Sequence, residues 1–166
     1  MRSPLLADLA AVYAEADAAL AGWSCPASTE CCRFEITGRE PYVTSVEIEA
    51  LERAVAALGG PRALAARGGA PAGGRAGRAG RGRRLAVVDD GEREGRCPML
   101  DARGRCAVYA WRPLGCRTFY CERASAGAAL PQRRINELVR KVQEIAARHR
   151  PDGDRGRPLR RALRLA

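Results

Sequence analysis

Apolar residues recur at helical spacing in three stretches of this chain. Leu5, Leu6, Leu9, Val12, Tyr13 and Leu20 share one side of residues 4 to 21, which predicts an amphipathic helix stopped by Gly22. Thr44 followed three positions later by Glu47 has the form of a capping box. Ile48, Leu51, Val55 and Leu58 continue as one stripe to Gly59 and Gly60, predicting a second helix over 44 to 58. Pro131 opens a third, over 131 to 148, whose Ile135, Leu138, Val139, Val142, Ile145 and Ala146 lie on a single face. Strand signals are short: residues 33 to 37, and residues 85 to 88 before the turn at Asp89, Asp90 and Gly91. The pattern predicts a mainly α fold with short β segments, a small α+β domain of about three helices around an irregular, cysteine-rich centre.

Between these periodic stretches the composition thins. Residues 60 to 84 are almost entirely Gly, Ala and Arg, and residues 151 to 166 offer similarly little to bury. The expected organisation is one domain over residues 1 to 150, with a flexible insert at 60 to 84 and a basic tail at 151 to 166. The net charge of +10 follows the same division: residues 61 to 84 contribute +7 and residues 148 to 166 contribute +5, leaving the remainder near −2. The cysteine-bearing body is therefore close to neutral. The arginines, 28 against a single lysine, read first as a compositional habit. An Arg-Gly tract nevertheless holds a phosphate backbone weakly, by charge and without sequence preference, so non-specific nucleic-acid binding stays open.

The chemistry resides in seven cysteines in two groups, Cys25, Cys31 and Cys32, then Cys97, Cys106, Cys116 and Cys121. Asp8, Glu15 and Asp17 interrupt the first apolar stretch, which is no signal-peptide core, and no run approaches the roughly 18 apolar residues of a membrane span. The expectation is a soluble, cytoplasmic protein with no membrane partner. In a reducing compartment grouped thiols bind metal or do redox chemistry more often than they form disulfides, whereas a lone buried cysteine is usually a small hydrophobe. A bound metal would add stability that so small a core lacks.

Spacing leaves the metal open. Zinc knuckles and ribbons place paired cysteines two to four residues apart, and only Cys116 and Cys121, with four residues between them, come close. Gaps of five, eight and nine residues match no common ferredoxin run, although iron–sulfur clusters are also held by thiolates and tolerate varied spacing. Adjacent Cys31 and Cys32 point in different directions on an extended backbone, so one ligates while the other packs or serves a second metal.

Read together, these residues resemble the CxxCxxCC, or YkgJ-like, cysteine-cluster family of zinc- or iron-chelating domains. Cys25, Ser28, Cys31 and Cys32 fall on its four cysteine positions, followed by a capped helix bearing an acid, as in Thr44 to Glu47. Cys97-Pro98 with Leu100, Cys106 with Tyr109, and Arg112-Pro113 with Cys116-Arg117 follow its CPxL, CxxY and RPxxCR pattern, and Cys121 fits a further downstream cysteine. The resemblance spans residues 23 to 123. It implies iron, as an iron–sulfur cluster or otherwise, or zinc as cofactor, with Cys25, Cys31, Cys32, Cys97, Cys106, Cys116 and Cys121 as candidate metal ligands. A related pattern in a flagellin lysine methylase tilts the expectation towards iron. Ser28 departs from the family, and its hydroxyl is a poor ligand beside a thiolate.

Other features have two readings each. Arg112 and Arg117 flank Cys116 and either offset the negative charge of a thiolate cluster or cap carbonyls and pair with Glu122. Arg112-Pro113 reads as a turn that aims Cys116 inward. Trp23, Tyr109, Trp111, Phe119 and Tyr120 read as a wall around the site. His149, at a helix end between Arg148 and Arg150, reads as solvated. No nucleophile triad, no GxGxxG and no GxxxxGK[ST] loop is present, so an enzyme is the lesser expectation. The leading reading is a metal-binding protein with an unidentified protein partner. The alternatives are a nucleic-acid module with a structural metal and, more remotely, a redox or S-adenosylmethionine-linked enzyme.

Overall fold

A computed structural model describes residues 3 to 20, 30 to 60, 63, 95 to 101, 104 to 118, 130 to 152 and 154 to 164. Cys25, Ser28, Cys121, Trp23, Phe119, Tyr120 and the strand expected at 85 to 88 lie outside the described residues, as does the insert at 60 to 84 apart from Gly60 and Ala63. The fold is mainly helical with one small sheet, as expected. In chain order it runs α1 (Pro4–Ala18), a 3-10 turn (Glu30–Cys32), α2 (Phe34–Thr37), β1 (Tyr42–Val43), α3 (Ser45–Ala57), a 3-10 turn (Tyr109–Trp111), α4 (Leu114–Arg117), α5 (Gln132–His149), β2 (Arg157–Pro158) and α6 (Leu159–Arg164).

The three periodic stretches form the helices they predict. Pro4 opens α1, where its missing N–H is no loss. Thr44 caps α3, and its N–H donates to Glu47 Oε2 at 2.9 Å, the reciprocal half of a capping box. Helices α1 and α5 run antiparallel, because Asp8 pairs with Arg148 whereas Glu15 pairs with Lys141 and Arg134. Two of the acids that interrupt the apolar stretch of α1, Asp8 and Glu15, are thus partnered by the basic face of α5, and the third, Asp17, pairs with Arg117. Such exposed pairs set register more than stability.

Helix α3 is shared between two cores. Val46 and Ala50 join Leu6, Leu9, Val12, Tyr13 and Ala16 of α1, Leu114 of α4 and Leu138, Val142, Ile145 and Ala146 of α5. Ile48, Leu51 and Val55 face the other way, onto Phe34, Val43, Cys97, Met99, Val108 and the C-terminal Leu159, Ala162 and Leu163. At about 100° of turn per residue, Val46 and Ala50 lie on one side of the helix and Ile48, Leu51 and Val55 on the opposite side.

Two local expectations need correction. Residues 33 to 37 form no strand: Phe34–Thr37 is a helical turn closed by Gly38 at φ 62°, and Arg33 alone makes a bridge, to Arg96. The tail, expected to bury little, is built into the second core. Tyr42 and Val43 pair antiparallel with Pro158 and Arg157, and Leu159, Ala162 and Leu163 are all at most 3% exposed. Asp154 accepts from the Ser45 and Gly156 N–H groups and so ties this segment to the start of α3.

Candidate metal centre

Backbone hydrogen bonds bring the two cysteine groups together. The Cys97 N–H donates to the Cys32 carbonyl at 2.8 Å, and the Phe34 N–H donates to the Gly95 carbonyl. Gly95 sits at φ +97° against the Glu35 side chain, a place with no room for a Cβ. From Cys97 the chain folds back on itself: Leu100 bridges Cys106, and the Ala107 N–H donates to the Met99 carbonyl at 2.9 Å. Cys116 arrives separately, on α4, where its N–H donates to the Pro113 carbonyl at 2.9 Å. Pro113 therefore starts the turn that carries Cys116, as the Arg-Pro pair suggested.

Cys97 is buried and Cys31, Cys32, Cys106 and Cys116 are half-buried. All five belong to one electrostatic neighbourhood. Charge on Cys31, Cys97 or Cys106 raises the thiol of Cys116, and the same three raise Cys32. Burial is the largest cause of the upward shift at Cys97, to about 12, and at Cys106 and Cys116. Cys31 is the exception, lowered to about 7 by its contact with the Cys32 thiol, Sγ to Sγ 3.9 Å, and further by the charge of Arg112. Cys32 is correspondingly held up, first by that contact and then by burial. Four thiols, one buried and three half-buried, that resist ionisation in one another's presence are chemically a donor set for a cation, which would stabilise every thiolate at once. Among the described residues, no three His, Cys, Asp or Glu side chains stand in a geometry that would hold an ion as they are.

The two arginines divide the roles that sequence left open. Arg117, 3% exposed, donates from Nε to the Arg112 carbonyl at 2.9 Å and from its other nitrogens to the Ala110 carbonyl and Asp17, with its guanidinium 4.2 Å from the Tyr13 ring centroid. It caps carbonyls. Arg112 instead stacks on Tyr109 at 4.1 Å, reaches Asp17 Oδ1 only at 3.8 Å, and favours the thiolates of Cys31 and Cys106.

Glu47 is the site residue that sequence reasoning undervalued. It is 2% exposed, and beyond its cap its Oε1 accepts from the Leu114 N–H at 2.9 Å and the Tyr13 hydroxyl at 3.2 Å. It therefore anchors α4, and with it Cys116, to α3. Tyr109 is 51% exposed and Trp111 packs on the first core, so neither closes the site as a continuous wall. His149 is not solvated: its Nδ1 lies 2.7 Å from Ser45 Oγ and its Nε2 2.9 Å from Glu49 Oε2, joining α5 to α3. No helix among the described residues is long and apolar enough to cross a membrane. Comparison with family models, curated proteins and solved structures returns no match, so the cysteine-cluster resemblance stands on the residues that carry it.

Proposed function

We propose that this chain is a cytosolic metal-binding protein that holds iron, as an iron–sulfur cluster or as bound ion, or zinc, through its clustered cysteines. The observation that carries the reading is the gathering of thiols from three separate segments, Cys31 and Cys32, Cys97 and Cys106, and Cys116, into one electrostatic neighbourhood. Small hydrophobic cysteines need no such company. Cys31, Cys97, Cys106 and Cys116 are the ligands favoured among the described residues, with Cys25 and Cys121 as further candidates and Cys32 as a packing neighbour or second-metal ligand. An iron–sulfur cluster held there would supply one-electron transfer, and zinc would supply a fixed cross-link between the segments. The chain's own part is to bury the thiols, to fix α4 through Glu47 and to exclude water with the second core.

The test is anaerobic purification followed by an absorption spectrum and elemental analysis. Broad absorbance near about 400 nm with matching iron and sulfide identifies a cluster, and colourless protein with stoichiometric zinc identifies a structural site. Folded, oxygen-free protein holding neither metal refutes the reading.

A further inference from the structure

Two arginines stand opposite each other across the bridge that joins the cysteine groups. Arg33 follows Cys32, Arg96 precedes Cys97, and the two pair as an isolated antiparallel bridge. The hydrogen bonds around them run from the Phe34 N–H to the Gly95 carbonyl and from the Cys97 N–H to the Cys32 carbonyl, so neither arginine bonds the other through its backbone. This is the non-hydrogen-bonded kind of pair, in which opposite Cα atoms come within about 4.5 Å and both side chains leave on one face. Like charges so placed repel and destabilise the pairing. The usual remedy is an acid, and other arginines have one: Arg53 meets Glu49, Arg134 meets Glu15, Arg148 meets Asp8 and Arg160 meets Glu40. Among the described residues, neither Arg33 nor Arg96 makes an ion pair or a side-chain hydrogen bond. Glu35, two positions from Arg33, leans against Gly95 instead. Arg96 is exposed, and half-buried Arg33 has no nitrogen shut away without a partner, so both guanidinium forks are open to solvent.

We propose that Arg33 and Arg96 form a receptor for a dianionic phosphate group, free or as a small monoester, held between their two guanidinium forks. A phosphate monoester carries about −1.5 to −2 charges at pH 7 and three acceptor oxygens, which matches two cations at one spot. A nucleic-acid backbone spreads single charges along its length and calls for a row of cations instead. The planar arginine fork meets phosphate oxygens in pairs, so each side chain adds direction as well as charge. The site needs no metal and does not rest on the metal-binding reading. Its place beside Cys32 and Cys97 means that a bound phosphate ties together the same two segments whose backbones bring the cysteine groups into contact.

The test is calorimetric titration of the full chain, in phosphate-free buffer, with inorganic phosphate, phenyl phosphate and oligothymidylate. Wild type is expected to bind phenyl phosphate, and Arg33→Gln and Arg96→Gln should each weaken that binding about 10- to 100-fold, the contribution of charge-assisted hydrogen bonds from one guanidinium. Arg33→Lys keeps the charge without the fork and should fall between wild type and Arg33→Gln. Arg161→Gln removes the same charge from an exposed position on α6 and should leave the affinity unchanged. Without ligand, Arg33→Gln should melt no lower than wild type, because it relieves the repulsion across the bridge. Tighter binding of phenyl phosphate than of inorganic phosphate assigns the site to an ester, equal binding assigns it to the free ion, and either supports the proposal. An equal loss in Arg161→Gln overturns it, since net charge alone would then attract the anion. A lower melting temperature of ligand-free Arg33→Gln overturns it too, by marking the side chain as structural. So does failure of both small phosphates to bind at millimolar concentration; oligothymidylate affinity lost in the two glutamine variants would then mark the pair as part of a nucleic-acid surface.

Discussion

Glu47 does a different job with each of its oxygens: Oε2 caps α3, and Oε1 holds the Leu114 N–H of α4 and the Tyr13 hydroxyl of α1. Glu47→Ala strands those donors in the interior and is expected to cost about 2–4 kcal/mol in urea unfolding. Burial lifts the carboxyl above its ordinary range, outweighing the hydrogen bonds from Thr44, Leu114 and Tyr13 that pull it down. The folded chain therefore holds this proton more tightly than the unfolded chain does. The contribution is greatest below the unfolded carboxylate range and is lost as pH rises through the raised folded value. Unfolding curves taken between about pH 4 and pH 7 should show this decline in wild type and its absence in Glu47→Gln; identical pH slopes would remove Glu47 as its source. Half of this was legible in sequence. The cap is a local spacing, but the bond to Leu114 joins residues 67 positions apart, and no local pattern marks it. The same limit applies to Arg112 and Arg117. They lie four residues before and one residue after Cys116 and take opposite parts in space, because Arg117 meets the carbonyls of the preceding turn.

Among the elements, the helices were readable and the connections were not. Helices α1 and α5 each present one apolar face and α3 presents two, of which the stripe of Ile48, Leu51 and Val55 is one, and periodicity finds such stripes directly. Residues 33 to 37 alternate too briefly to decide between strand and turn, and Gly38 in the left-handed region settles the matter for a helical turn. The C-terminal segment was hidden by composition: its three buried apolar residues are scattered among arginines, one of which, Arg160, is neutralised by Glu40. Leu159 is 1% exposed in the core that holds Cys97, so Leu159→Ala is expected to lower stability by about 2–4 kcal/mol in a denaturant titration. A loss below about 0.5 kcal/mol, the range of ordinary surface changes, would show that this segment is not part of the fold. Asp154 caps α3 from this same segment. Burial works to raise its carboxyl, but the hydrogen bonds from Ser45 and Gly156 and the charge of Arg157 prevail and hold it below its usual value. Its stabilisation is thus present above the unfolded carboxylate value and lost as pH falls through the lowered one. Asp154→Ala should cost about 1 kcal/mol at neutral pH, the usual worth of an N-cap, and the difference from wild type should shrink in acid.

At the scale of the whole molecule, the division into two cores separates folding from the proposed metal binding. The first core, built from α1, α3, α4 and α5, contains no cysteine among the described residues. Chelation is therefore expected to leave most of the helical circular-dichroism signal in place while lowering the melting temperature. Free metal at a hundred times its dissociation constant adds about 2.7 kcal/mol to the folded state, and removing it takes that away. Loss of the helical signal on chelation would show instead that the metal organises both cores. The convergence of the cysteine groups was foreseeable from residue type alone, since thiols in two clusters have few other uses. Its route, through the bridge of Arg33 to Arg96 and the bond from Cys97 to Cys32, depends on Gly95 accepting a conformation that other residues resist. Gly95→Ala is accordingly expected to destabilise the chain by about 1–3 kcal/mol and to weaken metal binding with it.

The place of α6 over the second core also sets an order in time. The thirty-eight positions from Cys121 to Leu159 are translated after the last cysteine, a delay of roughly 2–8 s at 5–20 residues per second. Every thiol of the chain is therefore made before Leu159, Ala162 and Leu163 exist to cover Cys97 and its neighbours. A nascent chain passes through an interval in which Cys97 and its neighbours lack the cover of α6, and the proposed metal group would enter then without displacing that segment.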